Sequence, residues 1–132
     1  MGFPGNLTVE TTYKVNKKTI DIFIEASTDK TTLCNFTNHS YFNLEGAQNI
    51  ANHSLIVNCD NVLPVDKNGI PISEPVSTKE LALDFKNSQK LNNNGKPIEI
   101  DHNFCISSTR QNLRTNAIVS AKNISLELLS TE

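Results

Sequence analysis

Apolar residues alternate with polar ones over much of the chain, and this period of two predicts β-strands rather than helices. The alternation is most regular in two neighbouring runs, Leu7 to Tyr13 and Ile20 to Ala26, which the polar segment 16–18 separates. Alternation places the apolar side chains of a strand on one face, and a short polar break joins two such strands. The chain is therefore predicted to begin with a β-hairpin.

Shorter alternating runs follow, separated by turn-rich segments at 45–47, 66–71 and 92–97. The runs comprise Leu55 to Cys59, Leu81 to Phe85, Ile98 to Ile106, and the region around Ile118 with Ile124 to Leu129. Helical spacing is not sustained in any long window, and the nearest candidate, Ser77 to Leu91, is expected to hold at most a turn or two of helix. The pattern predicts an all-β fold, an antiparallel β-sandwich whose long loops are suited to carry a site.

Size, charge and cysteine spacing restrict the class of protein. The chain has 132 residues, enough for one domain, and its net charge of −2 gives no field that attracts nucleic acid or an anionic membrane. No apolar run approaches the roughly 20 residues of a membrane span. The widely spaced Cys34, Cys59 and Cys105 predict reduced, mostly buried thiols in a cytoplasmic protein. We therefore expect neither a nucleic-acid partner nor a membrane partner.

The segment from Asn35 to Leu44 places one histidine among short polar side chains and two aromatic rings. If this segment is extended, His39 and Tyr41 share a polar face that is backed by apolar residues. An imidazole near neutrality, amide and hydroxyl partners and a ring face are what a site needs to move a proton on a sugar. The residues alone leave open the alternative of a histidine that hydrogen-bonds within its own loop.

A second candidate segment places Asp101 beside His102. Adjacent residues of a strand point to opposite faces, so the two do not form a direct pair there. Asp101 could accept hydrogen bonds from sugar hydroxyls, since a carboxylate only accepts; the alternative is a loop-capping aspartate beside a core-facing His102. No metal and no cofactor are expected, because nucleotide-binding and hydrolase motifs are absent and the remaining candidate ligands match no metal-binding spacing: His53, Asp60 and Asp66.

Four short stretches resemble galactose mutarotases (aldose 1-epimerases), in the order of that family. They are Gly-Phe-Pro-Gly-Asn-Leu at 2–7, Asn-His-Ser-Tyr-Phe-Asn-Leu at 38–44, Leu-Pro-Val-Asp at 63–66 and Asp-His-Asn-Phe at 101–104. The resemblance implies the galactose mutarotase-like supersandwich and interconversion of the α and β anomers of a hexose such as galactose or glucose. It also implies His39 as the general acid at the ring oxygen, Asp101 as the residue that holds sugar hydroxyls, and Asn38 and Tyr41 as further sugar contacts.

The resemblance covers a middle segment of the family's domain, so residues 1–132 are expected to form a partial domain. The family's glutamate base lies beyond a Thr-Glu-Pro-Gly stretch whose start resembles Thr131 and Glu132, and on this resemblance neither Glu99 nor Glu127 nor Glu132 replaces it. Unpaired strand edges and a half-covered apolar face then predict self-association, a complementary chain or marginal stability. The alternatives to an enzyme fragment are a non-catalytic sugar-binding or remnant protein and a purely structural β-sandwich module.

Overall fold

The computed structural model describes residues 2–131, and within them the regular secondary structure is entirely β. Ten strands form in this part of the chain: β1 (Leu7–Val15), β2 (Ile20–Thr28), β3 (Ser54–Val57), β4 (Asn61–Val62), β5 (Val76–Ser77), β6 (Gln89–Lys90), β7 (Asn92–Asn93), β8 (Lys96–Pro97), β9 (Arg114–Ala121) and β10 (Ile124–Ser130). Every strand pairing among them is antiparallel. The same residues contain no helix that could cross a bilayer. The chain divides after Tyr41 into an N-terminal and a C-terminal unit.

The N-terminal unit is built on the predicted hairpin, which is confirmed. Strands β1 and β2 pair over their full length, from Leu7 opposite Thr28 to Val15 opposite Ile20. The amide of Asn16 donates to the carbonyl of Thr19 at 2.9 Å and closes the turn. At the open end, the Asp29 carboxylate accepts hydrogen bonds of 2.8 Å from the backbone and the side-chain nitrogens of Asn6. The backbone bond from Asn6 is the main cause of the lowered pKa of Asp29.

One face of this hairpin is apolar and open to solvent. The register places three apolar pairs on that face, Val9 with Ala26, Tyr13 with Ile22 and Val15 with Ile20, and Leu7 and Ile24 lie on the same face opposite threonines. The side chain of Val15 is 72% exposed, that of Ile20 61% and that of Tyr13 57%. The opposite face carries polar and charged pairs such as Lys14 and Asp21. The alternation therefore formed the two-faced ribbon that it predicts, without burying its apolar side.

The C-terminal unit contains a four-stranded sheet in the order β10-β9-β3-β6. The two long strands at 114–121 and 124–130 form from the last apolar runs of the sequence, and the short strand β3 forms from the run at 55–57. A core lies against this sheet and consists of six buried side chains: Val57, Cys59, Val62, Leu83, Phe85 and Leu91. The rings of Phe85 and Phe104 meet edge to face, with centroids 6.3 Å apart. Burial of apolar area here is the main stabilising contribution in this unit.

Two strands and a short helix suggested by the sequence between residues 77 and 106 are not formed. Leu83 and Phe85 lie in a turn region, where the amide of Leu83 bonds to the carbonyl of Thr78 and Ala82 has a φ of 55°. The segment 98–106 is irregular apart from an isolated bridge between Val62 and Phe104. Leu83 and Phe85 reach the core from a loop, and Ile100, Phe104 and Ile106 pack against it, which an alternating pattern does not distinguish from a strand.

The three cysteines are free, as predicted, but their expected burial holds only in part. Cys59 is buried, Cys105 is half-buried and Cys34 is exposed. Desolvation of the Cys105 thiol, followed by the proximity of Cys59, raises the pKa of Cys105.

Candidate active site

The segment that carries His39 is a loop. Residues 31–43 have no regular secondary structure, so the faces predicted for an extended strand do not apply to it. The side-chain nitrogen of Asn38 lies 3.5 Å from the hydroxyl oxygen of Tyr13 on β1, within the N-terminal unit. The side-chain oxygen of Asn38 accepts from the amide of Ser40 at 3.2 Å. Asn38 therefore bends the loop locally around His39 and connects it to the hairpin.

His39 is exposed, and its ring stands beside that of Tyr41. The two ring centroids are 5.0 Å apart at an interplanar angle of 37°. Tyr41 is itself 87% exposed. Within residues 2–131 the His39 side chain makes this ring contact and no hydrogen bond. His39 therefore does not form the hydrogen bonds within its own loop that the alternative required, and both ring nitrogens are open to a ligand.

The end of the same segment is fixed inside the C-terminal unit. The amide of Leu44 donates to Nε2 of His53 at 2.9 Å, and the side chain of Asn43 donates to the carbonyl of Ala47 at 2.7 Å. Gly46 closes the turn with a φ of 61°, a left-handed conformation that favours glycine. His53 is 1% exposed. In the sequence His53 stands out only as a candidate metal ligand that matches no metal-binding spacing. No local pattern indicates that it contacts Leu44.

Asp101 lies in an irregular segment of the C-terminal unit, and its side chain is exposed. The segment is held at its far end, where the amide of Leu63 donates to the carbonyl of Asn103 at 3.0 Å and the amide of Cys105 donates to that of Asn61 at 2.8 Å. The neighbouring His102 is half-buried, and its Nδ1 is buried without a partner in the described part of the chain. Asp101 is thus exposed where His102 is half-buried, and the Asp101 carboxylate is open to a ligand.

The predicted residues fall into two groups. Asn38, His39 and Tyr41 lie together in one loop of the N-terminal unit, whereas Asp101 belongs to the C-terminal unit. An open depression of about 670 Å³ in the C-terminal unit is lined by His102 and Glu99 but not by Asp101. Within residues 2–131, no group of three or more His, Cys, Asp or Glu side chains is arranged to hold a metal ion.

The glutamates that the sequence offers as bases have other surroundings. The carboxylate of Glu127 accepts a hydrogen bond from the hydroxyl of Thr115 across the β9–β10 pair. Glu99 is exposed on an irregular segment, and Glu132 lies outside the described residues. No partner places Glu99 or Glu127 at a sugar site.

Comparison with known proteins decides the family. The family model described as aldose 1-epimerase matches residues 1–132. The chain belongs to the aldose 1-epimerase family. A galactose mutarotase from Sus scrofa is 35% identical over 115 residues, which are 83% of this chain and 34% of the relative. An aldose 1-epimerase from Escherichia coli (strain K12) is 40% identical over 90 residues, which are 67% of this chain and 26% of the relative.

Solved structures of the aldose 1-epimerase family share the fold. The GalM/aldose epimerase homologue from C. elegans has a TM-score of 0.81 and 28% identity, over 96% of this chain and 40% of its own. Galactose 1-epimerase from Lactobacillus acidophilus NCFM has a TM-score of 0.74 and 27% identity, over 90% of this chain and 37% of its own. The predicted fold class, an antiparallel all-β fold of the mutarotase type, is thereby confirmed. The chain spans about a quarter to a third of the length of the curated relatives that it matches.

Proposed function

We propose that this chain carries the acid and part of the sugar-binding surface of an aldose 1-epimerase that acts on a hexose such as galactose or glucose. His39 is the acid, Asp101 accepts hydrogen bonds from sugar hydroxyls, and Asn38 and Tyr41 contact the sugar. The observation that carries the proposal is the exposed imidazole of His39, free of hydrogen bonds within residues 2–131 and beside the open ring of Tyr41, in a chain of this family. A glutamate base comes from a polypeptide segment outside these 132 residues.

The chemistry needs two groups around one sugar. The base removes the proton of the anomeric hydroxyl while His39 donates a proton to the ring oxygen, so the bond between the anomeric carbon and that oxygen breaks and an open-chain aldehyde forms. Rotation about the bond next to the aldehyde carbon exposes its other face. Ring closure then returns one proton to His39 and one from the base to the new anomeric hydroxyl. Histidine is the side chain most often used for such proton transfers.

We further propose that a complementary polypeptide, which carries the remaining strands of a mutarotase domain, covers the apolar face of the hairpin. The face is open here, with Val15 and Ile20 more than half exposed. In the C. elegans relative the same fold is part of a longer chain, and the present chain covers 40% of it. Apolar side chains along one face of two full strands suit a second sheet packed against that face. The free thiols support a further proposal, a cytoplasmic location.

The enzymatic proposal is tested by complementation. The chain is co-expressed with the parts of the Sus scrofa galactose mutarotase that lie outside the matched region, and the anomerisation of freshly dissolved α-galactose is followed by polarimetry. Acceleration over buffer is expected with the wild-type chain and with Lys17→Ala in the hairpin turn, and it is lost with His39→Ala. A complex that forms but neither accelerates the reaction nor binds galactose contradicts the proposal.

Galactose binding without acceleration favours the second candidate, a non-catalytic sugar-binding protein. This candidate is considered because the chain spans only about a third of the length of the relative. Sedimentation then tests the partner. Ile22→Lys on the apolar face is expected to reduce complex formation at least tenfold, whereas Glu25→Lys on the polar face leaves it within about twofold. Sedimentation of the chain alone as a concentration-dependent dimer sensitive to Ile22→Lys would indicate self-association instead.

A further inference from the structure

His53 is a deeply buried polar residue that the proposed mechanism does not use. Only 1% of it is exposed, and its Nε2 accepts the hydrogen bond from the amide of Leu44 at 2.9 Å. A ring nitrogen that accepts carries no proton, so the hydrogen bond assigns the neutral tautomer with the proton on Nδ1. Nδ1 is buried and has no partner within residues 2–131. One ring nitrogen is therefore satisfied and the other is not.

This half-satisfied burial requires an explanation. An unpaired buried N–H costs free energy, and an apolar side chain of similar size would avoid that cost. The same apolar side chain would leave the Leu44 amide without this acceptor. The bond to Leu44 is therefore the feature that accounts for a histidine at this position.

The backbone of His53 is fixed on both sides. Its amide donates to the carbonyl of Ile50 at 2.9 Å, and its carbonyl accepts from the amide of Leu91 at 2.8 Å. The next residue begins β3, which lies between β9 and β6 in the four-stranded sheet. The imidazole is thus attached directly before an inner strand of the four-stranded sheet.

Leu44 is the last residue of the family segment 38–44 and follows His39 by five positions. The other hydrogen bond nearby, from Asn43 to Ala47, is local and does not reach the sheet. Among the described residues, the bond to His53 is the side-chain hydrogen bond that joins this end of the segment to β3 and its neighbours.

We propose that His53 is a positioning residue for the family segment that carries His39: its buried imidazole holds the Leu44 amide and so fixes the end of this segment that lies in the C-terminal unit. This inference rests on the proposed function for its effect on the sugar, but the tether itself is independent of it. His53 acts through the backbone of Leu44 and does not touch the substrate.

Two substitutions of similar size separate the tether from general packing. His53→Gln places an amide oxygen near the position of Nε2, and His53→Asn places it near Nδ1, too short to reach Leu44. Hydrogen exchange of the Leu44 amide in the full chain, measured by NMR, is expected to stay within about threefold of wild type in the Gln variant and to be roughly tenfold or more faster in the Asn variant. The amide of Val57 in β3 serves as the internal control. Equal exchange of Leu44 in both variants overturns the tether.

A measurement on the wild-type chain does not depend on a variant that folds. The hydrogen bond from the Leu44 amide to Nε2 joins two nitrogens, so labelling with ¹⁵N is expected to show a scalar coupling between them and ring shifts of the Nδ1–H tautomer. A protonated Nε2 without this coupling overturns the assignment.

The sugar readout tests positioning. Galactose is titrated while the ring resonances of His39 are followed, in each variant and at a temperature where circular dichroism shows an intact fold. The Asn variant is expected to bind galactose about tenfold more weakly, with the Gln variant restoring the affinity. A fast-exchanging Leu44 with unchanged galactose affinity overturns the positioning role. If the wild-type chain and its complemented form do not respond to galactose at all, the proposed function fails, whereas the exchange of Leu44 still decides the tether.

Discussion

The hairpin of the N-terminal unit and the sheet of the C-terminal unit follow the same alternation but differ in what covers their apolar side. Strands β1 and β2 are each nine residues long and fully paired, yet Val15 and Ile20 are more than half exposed. Strand β3 has four residues and belongs to the unit in which Val62 and Phe85 are almost completely buried. Pairing along the backbone therefore defines a strand, whereas burial needs a second layer, and an isolated two-stranded hairpin is only marginally stable in water.

The largest expected difference between the two regions comes from removing an apolar side chain from each. Phe85→Ala deletes a ring that is 2% exposed and contacts Phe104, so it is expected to lower the free energy of unfolding by about 3–5 kcal/mol. Ile20→Ala, at a side chain 61% exposed, is expected to change it by less than about 0.5 kcal/mol. Urea unfolding followed by circular dichroism measures both. Similar losses would show that the hairpin face is covered in solution.

A change at Gly5 is expected to act on the hairpin alone. A methyl group there would lie 2.5 Å from the carbonyl oxygen of Lys30 and against the hydroxyl of Thr28, so Gly5→Ala must spread the open end of the hairpin. Such overpacking costs about 1–3 kcal/mol. We expect faster amide exchange in β1 and β2 and unchanged exchange in β9. Gly2→Ala, which meets nothing within 4 Å, is the matched control; an equal effect of the two changes would refute the clash.

The smallest effect is expected from acid. The pKa of Asp66 is lowered, first by the hydrogen bond from the Ile70 amide and then by that from Asn68, at 3.0 and 2.8 Å. A pKa lower in the folded than in the unfolded state gives stability that is complete above the unfolded value of about 3.9 and is lost as the pH falls through the folded value. Hydrogen exchange of the Ile70 amide, divided by its intrinsic rate at each pH, should therefore become faster below about pH 4. The Asp66→Asn variant should lose this pH dependence.

The hairpin offers the same test at Asp29, whose pKa is lowered chiefly by the backbone of Asn6. Acid should speed up hydrogen exchange of the Asn6 amide as it does that of the Ile70 amide, because an aspartate carboxylate accepts the hydrogen bond in both places. Asp29→Asn is the paired variant. An acid response at Ile70 without one at Asn6 would mean that the hairpin's open end is held by something other than this carboxylate.

The longer strands could be predicted, the five two-residue strands within residues 2–131 could not, and the two predicted runs that formed no strand share one cause. The hairpin and the last two strands were predictable because runs of alternating apolar and polar residues lie within regular strands. The turn region with Leu83 and Phe85 was not, since a loop can bring the same residues into the core without strand pairing.

The candidate site was predictable only as residue types. The sequence indicates His39 and Asp101 through motifs, and the structure adds that both are exposed. It could not indicate that His53 accepts from Leu44, because that contact depends on how the segment 45–52 turns back on itself. The assignment of catalytic and sugar-binding roles stays a prediction until the polarimetry is done.

The open apolar face of the hairpin also has a consequence for the chain's abundance. Chaperones and proteases recognise apolar surface that a finished protein would cover, so a polypeptide with such a face is handled as an unassembled one. Its steady-state level would then follow the synthesis of whatever covers that face. If the complementary polypeptide proposed above covers that face, raising its expression alone should extend the lifetime of this chain without any change in its own transcription.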